Sequence, residues 1–191
     1  MNGNTVALVQ KMEEYRTYVH TPPHLYRDGA KYFITASAFE NKRILDDAVK
    51  EKLFSSLLRS CMNHGWSLED WVILDNHYHI MVNAPEVSAN PAKLVAEYHR
   101  FTALFIRKIN PEFGTLRKFF NNYWDTCITF EKSYYSRLNY IYNNPVKHGY
   151  VNNAQDYQWG SFRVRYAKDR SYVKKMFDNF PYDSVNIADD F

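Results

Sequence analysis

The order of segments along the chain predicts an α+β fold. It is a ferredoxin-like βαββαβ unit, an antiparallel sheet with helices on one face, followed by an extra C-terminal helix and a tail. Three observations predict it. Short stretches rich in β-branched and aromatic residues recur at strand length. Two long amphipathic segments separate the first from the second and the third from the fourth of them. A two-residue polar turn, Asp75-Asn76, joins the second to the third as a hairpin.

In chain order, residues 1–30 read as a loose arm, because His20, Pro22, Pro23 and the Asp28-Gly29 turn signal break any periodicity. Lys31 to Phe39 is a strand. Leu45 to His64 is a helix with the apolar stripe Ala48, Val49, Leu53, Leu57, Leu58 and Cys61; Asp46-Asp47 suit its start and Gly65 its stop. Trp66 to Leu74 and His77 to Val82 are the hairpin strands. Asn90-Pro91, an N-cap followed by a first-turn proline, opens a helix to about Asn110 with Leu94, Tyr98, Phe101 and Phe105 on its core face. Leu116 to Phe130 holds a further strand, interrupted at Asn121-Asn122. Glu131 to about Asn143 is a third helix, ended by Pro145 and Gly149. An aromatic tail completes the chain. The expected division is therefore an arm (1–30), a principal domain (31–150) and a tail with aromatic and basic residues (151–191).

With 191 residues, 46% of them hydrophobic, the chain is long enough for one domain with a proper core. Cys61 and Cys127 form no CxxC pair and read as reduced core residues. The N-terminus has no apolar signal segment and no apolar run approaches membrane-spanning length, so a cytoplasmic protein without membrane contact is expected. The net charge of +3 is uneven. Residues 1–90 hold 9 Lys+Arg against 11 Asp+Glu, residues 91–150 hold 9 against 4, and residues 151–191 hold 6 against 6. The basic excess suits a polyanionic partner near the middle of the chain. Lys93, Arg100 and Arg107 repeat every seven residues as a basic stripe.

Two features carry chemistry. His77 and His79 alternate on one strand, so both imidazoles share a face, which is half of a divalent metal site; the alternative is a pair of hydrogen-bonded core histidines. On the third helix, Tyr134, Tyr135, Leu138, Ile141 and Tyr142 gather between about 100° and 220° from Tyr140. Ser133, Ser136, Arg137, Asn143 and Asn144 lie within about 60° of it. Tyr140 thus stands apart from the other tyrosines on a polar, partly basic face, as a candidate nucleophile or an ordinary surface tyrosine.

Further residues resemble a known family. His77-Tyr78-His79 after an apolar strand resembles the HUH motif. Asn139-Tyr140-Ile141-Tyr142-Asn143-Asn144-Pro145-Val146-Lys147-His148-Gly149 closely resembles the signature of the REP-associated tyrosine transposases, relatives of the single-tyrosine transposases. Asp156-Tyr157-Gln158-Trp159-Gly160-Ser161-Phe162 resembles that family's Trp/Ser-Phe box, Tyr123-Trp124-Asp125 its fourth strand, and Pro23-His24-Leu25-Tyr26 the approach to its first. The resemblance covers about residues 22–165. Asp75-Asn76 departs from the Pro-Asn or Pro-Glu common before the first histidine, which bears on the hairpin's geometry.

The resemblance implies a metal-dependent single-stranded DNA endonuclease and strand transferase. It would act at hairpin-forming palindromes through a 5′-phosphotyrosine, as a monomer or homodimer. Tyr140 is then the nucleophile, the residue the helical wheel also isolates. His77 and His79 supply two ligands of a divalent ion, Mn²⁺ or Mg²⁺, and Asn144, one turn beyond Tyr140, is the expected third. Lys93, Arg100, Arg107, Arg117, Lys118, Arg137 and Lys147 are expected to track phosphates, and Trp159, Phe162, Arg163 and Arg165 to meet unpaired bases or the stem. Competing readings are a single-strand-binding module without catalysis, a hairpin binder that no longer cuts, and a small hydrolase using water.

Overall fold

The computed structural model describes residues 16–18 and 24–181. The expected N-terminal arm therefore falls largely outside the described residues, as does the end of the expected tail. Within the arm, β1 (Arg16–Tyr18) and β2 (His24–Tyr26) pair antiparallel, so part of it is regular where turn signals alone predict a loose segment.

The main sheet holds β3 (Lys31–Ser37), β4 (Ser67–Ile73), β5 (His77–Asn83) and β6 (Trp124–Ile128) in the order β4-β5-β3-β6, all antiparallel. This is the expected βαββαβ topology. The crossovers are α1 (Asp47–His64) and α2 (Pro91–Ile109), which pack on each other and on one face of the sheet. Both helices start as predicted: Asp46 Oδ1 accepts from Val49 N at 2.9 Å, and Asn90 Oδ1 from Lys93 N at 2.9 Å, with Pro91 in the first turn. Gly65 ends α1 at φ 70°, a left-handed position that glycine adopts without strain.

Strand alternation sorts the core into two layers. Tyr32, Ile34, Tyr78, Ile80 and Ile73 face α1 and α2, where Leu53, Leu57, Leu94 and Tyr98 cover them. Phe33, Val72, Leu74 and Met81 face the other way, under α3 (Glu131–Lys147). Ala48 and Leu58, expected in the α1 stripe, are exposed, and Phe101 and Phe105 of α2 are half-buried. Cys61 is buried and Cys127 half-buried, both free.

Two departures bear on function. α3 does not end near Asn143 but runs on through Pro145 to Lys147. Proline removes one backbone donor but keeps a helix-compatible φ, and the turn is closed by His148 N to Asn144 O at 3.1 Å and Tyr150 N to Pro145 O at 2.9 Å. The expected tail is also structured: α4 (Phe162–Lys168) and α5 (Arg170–Asn179) complete the second core layer with Phe162, Val173 and Met176. The Trp159-Gly160-Ser161 segment caps the outer edge of β4, with Ile73 N bonded to Trp159 O and Ser161 N to Trp71 O, each at 2.9 Å. Among the described residues no helix is long and apolar enough to cross a membrane.

Candidate active site

The hairpin that carries the histidines is tight: Leu74 N donates to His77 O at 2.8 Å across Asp75-Asn76. Asp75 does not loosen this turn. Its carboxylate takes Lys50 Nζ at 2.7 Å and Arg43 Nη2 at 2.5 Å, which tie the turn to α1 and to the loop before it. Those hydrogen bonds and charges hold the Asp75 carboxyl below its usual range despite partial burial.

His77 and His79 point away from α1 and α2, into the layer beneath α3. They are 1% and 0% exposed, with ring centroids 5.1 Å apart. Each Nδ1 has its own partner: Asn76 Oδ1 at 2.7 Å for His77, and Thr35 Oγ1 on the neighbouring strand for His79. Both Nε2 atoms turn toward the Asn144 amide, His77 at 3.1 Å from Oδ1 and His79 at 3.2 Å from Nδ2. Burial lowers both imidazole pKa values, that of His77 to about 3, so both rings are neutral at pH 7.

This donor set fits a divalent ion. Two neutral imidazoles have their Nε2 atoms aimed at one amide, while the Nδ1 partners fix ring orientation. Among the described residues no group of three or more His, Cys, Asp or Glu could hold a metal, so an amide oxygen is the natural third donor and further positions fall to water or substrate oxygens.

Tyr140 lies on the same helical stripe as Asn144, four residues before it. Its ring stands edge-on to His79 at 5.0 Å and to Phe33 at 6.4 Å. Here the wheel grouped the right residues but not their surroundings. Tyr140 is 2% exposed, and Ser133, Ser136 and Asn144 are buried with it. The polar stripe of α3 faces inward because the sheet surface it meets is polar too. The predicted apolar face is buried as well, with Leu138, Ile141 and Tyr142 in the second core layer and Tyr134 and Tyr135 packed against it.

The extra turn of α3 brings two residues whose contacts the sequence reading did not foresee. Lys147 Nζ lies 3.4 Å from Tyr140 Oη and 4.9 Å from the ring centroid. His148 packs on His77 at 4.8 Å between centroids. Spacing carried a signal for Lys147, since seven residues return to the same helical face. Thr35 and Asn76 were legible only through strand register.

The expected DNA contacts scatter. Arg137 stays on the site side, its guanidinium 5.9 Å from the Phe33 ring and bonded to Ser133. The loop carrying Arg117 and Lys118 bonds back near the His77 end of the sheet, through Phe39 N to Phe119 O at 2.8 Å and Asn121 N to Ser37 O at 2.8 Å. Lys93, Arg100 and Arg107 sit on α2, across the sheet from the histidines, so this stripe cannot serve the same phosphate. Phe162 is 6% exposed and stacks among Tyr142, Tyr166 and Phe177, so it is core and not a base contact. Arg165 is engaged with the fully buried Asp70 at 2.9 Å, and Trp159 donates its Nε1–H to Asp47 at 2.7 Å. Arg163 is exposed.

Comparison with known proteins defines the class: a DNA transposase. Residues 26–144, well over half of the chain, match the family described as "Transposase IS200 like", and the chain belongs to that family. Transposases of this kind are enzymes that cut and rejoin DNA. It is 25% identical over 161 residues to an Escherichia coli K12 protein named REP-associated tyrosine transposase, covering 82% of this chain and 87% of that one. A Haemophilus influenzae protein given the same name provisionally is 28% identical over 145 residues, covering 72% and 82%. A solved structure described as a REP-associated tyrosine transposase bound to a REP hairpin superposes with a TM-score of 0.64 at 22% identity, covering 94% and 95% of the two chains, and shares the fold.

Proposed function

We propose that this protein is a metal-dependent single-stranded DNA endonuclease and strand transferase of the REP-associated branch, acting at hairpin-forming palindromic repeats. The observation that carries this reading is the meeting of Tyr140 and Asn144, on one stripe of α3, with the paired Nε2 atoms of His77 and His79. The names of the two relatives and the hairpin-bound neighbour support the choice of substrate.

A divalent ion, Mn²⁺ or Mg²⁺, held by His77, His79 and Asn144, would polarise the scissile phosphate. The chain's own residues do the rest. Asn76 and Thr35 hold the imidazoles in ligand orientation. The Tyr140 oxygen attacks phosphorus and its proton passes to water. The new bond is a 5′-phosphotyrosine; the bond that breaks is to the 3′-oxygen, which takes a proton from water. Keeping a phosphodiester-type bond in the adduct permits rejoining to another 3′-hydroxyl without a separate energy source. Lys147, beside the phenol oxygen, and Arg137 offset phosphate charge. Because Tyr140 is covered, the site must open locally for a phosphate to reach it. Residues 31–150 form the catalytic unit, and 151–181 clamp α3 and the β4 edge.

The test offers one sequence in two forms, as a single-stranded hairpin and as a perfect duplex, with Mn²⁺, on a denaturing gel. Protein-attached DNA from the hairpin alone is expected. Equal cutting of both with no attached protein would identify an ordinary nuclease.

A further inference from the structure

β6 places a tryptophan where the functional reading gives it no task. Trp124 pairs with Thr35, and Thr35 pairs with His79 on its other side. The three residues form one row across the sheet with their side chains on one face, since directly paired residues share a face. That face is the one bearing the histidines and Tyr140. Two strand spacings separate Trp124 from His79, about 10 Å.

The indole is unused by the fold. It is 56% exposed and belongs to neither core layer, whereas the next residue along the same face, Thr126, pairs with Phe33 beside α3. An exposed tryptophan on a sheet face, in register with the buried His79, is a flat apolar surface beside a covered polar cluster. Two cations on this side, Arg137 over Phe33 and Lys147 at Tyr140, belong to the cluster around the histidines. The arrangement matches the two ends of a nucleotide, with a charged phosphate at the polar cluster and a planar base a short reach away.

We infer that Trp124 is a stacking platform for one unpaired base of the DNA strand, the base next to the scissile phosphate or its neighbour. This rests on the functional reading above and adds a base subsite to it. Stacking on an aromatic ring is tolerant of base identity, so the subsite selects for an unpaired base over a paired one and not for a particular sequence.

The test compares the parent with Trp124→Ala and Trp124→Phe, in Mn²⁺, on two oligonucleotides: a hairpin with a single-stranded 5′ extension and the same hairpin without it. Thermal melting checks that the variants fold. Trp124→Ala is expected to bind the extended hairpin about 5- to 100-fold more weakly and the bare hairpin as the parent does, with Trp124→Phe close to the parent on both. Removing the stacked base by an abasic site should weaken the parent by a similar factor and leave Trp124→Ala unchanged. The stacking site is overturned if Trp124→Ala matches the parent on the extended hairpin, or loses affinity equally for both oligonucleotides. A parent that binds neither oligonucleotide overturns the functional reading itself.

Discussion

Replacing Arg165 by methionine separates a structural role from a DNA-binding one. Asp70 is completely buried, and its carboxylate is met by Arg165 Nη2 at 2.9 Å and Nε at 3.2 Å, Ser161 Oγ at 2.8 Å and Tyr142 Oη at 2.9 Å. Burial still lifts the Asp70 carboxyl above its usual range, outweighing those partners. Arg165→Met strands the carboxylate with two hydroxyl donors. Breaking a buried ion pair costs about 3–5 kcal/mol, and the Arg165 side chain is 41% exposed, so solvent screens part of the attraction. We expect a loss of about 2–3 kcal/mol, or about 5–10 °C in Tm for a chain of this size. Adding Asp70→Asn should recover part of that, with a coupling of about 1 kcal/mol or more. Circular dichroism melts measure the first quantity, and hairpin-DNA affinity against salt measures the alternative. A Tm within 2 °C of the parent, together with a salt slope lowered by about one, would refute the clamp and make Arg165 a phosphate contact.

Stability should fall as pH drops from about 6.5 toward 3. His77, His79 and His99 stay neutral when folded because burial depresses their pKa values, while the unfolded chain takes up protons below about 6.5; the three sites together allow a slope of up to about 4.1 kcal/mol per pH unit, of which His77→Asn should remove about a third in pH-dependent denaturant titrations. Mn²⁺ at about a hundredfold over its Kd should stabilise the parent by about 2.7 kcal/mol, and His79→Ala should remove that shift in a thermal scan, as EDTA should in the parent. Tyr142→Phe should keep DNA cleavage but lose about 1.5–3 kcal/mol of stability, because its hydroxyl serves the buried Asp70 carboxylate, and an unchanged denaturation midpoint would contradict that hydrogen bond.

Much of the fold was legible because its signals are local. The caps at Asp46 and Asn90, the Gly65 stop and the alternation of β3 and β5 each act over a few residues. The histidine pair and its nearness to Tyr140 and Asn144 were also readable, from period-two and period-3.6 spacing. What failed depended on partners distant in sequence. A polar helix face usually meets water, so Tyr140 read as exposed; it is buried because His77, His79 and Thr35 give that stripe a polar surface to meet. Pro145 read as a stop, yet its missing donor is tolerated and the helix continues to Lys147. Phe162 read as a base contact because its neighbours in sequence give no hint of the Tyr142 ring it packs on, and nothing beside Arg165 in sequence announces the Asp70 carboxylate it meets. The basic excess of residues 91–150 spreads over both faces of the sheet, which charge counting cannot resolve.

The central claim is that Tyr140 carries the DNA. Its most direct measurement is mass spectrometry of the proteolysed complex after reaction with a hairpin oligonucleotide and Mn²⁺, in the parent, Tyr140→Phe and Tyr142→Phe. Tyr140→Phe removes one hydroxyl and should leave the fold and hairpin affinity nearly intact. The account predicts a nucleotide-bearing peptide with the modification on Tyr140 in the parent and in Tyr142→Phe, and none in Tyr140→Phe. An adduct that survives in Tyr140→Phe, or one mapped to Tyr134, Tyr135 or Tyr142 in the parent, would contradict it.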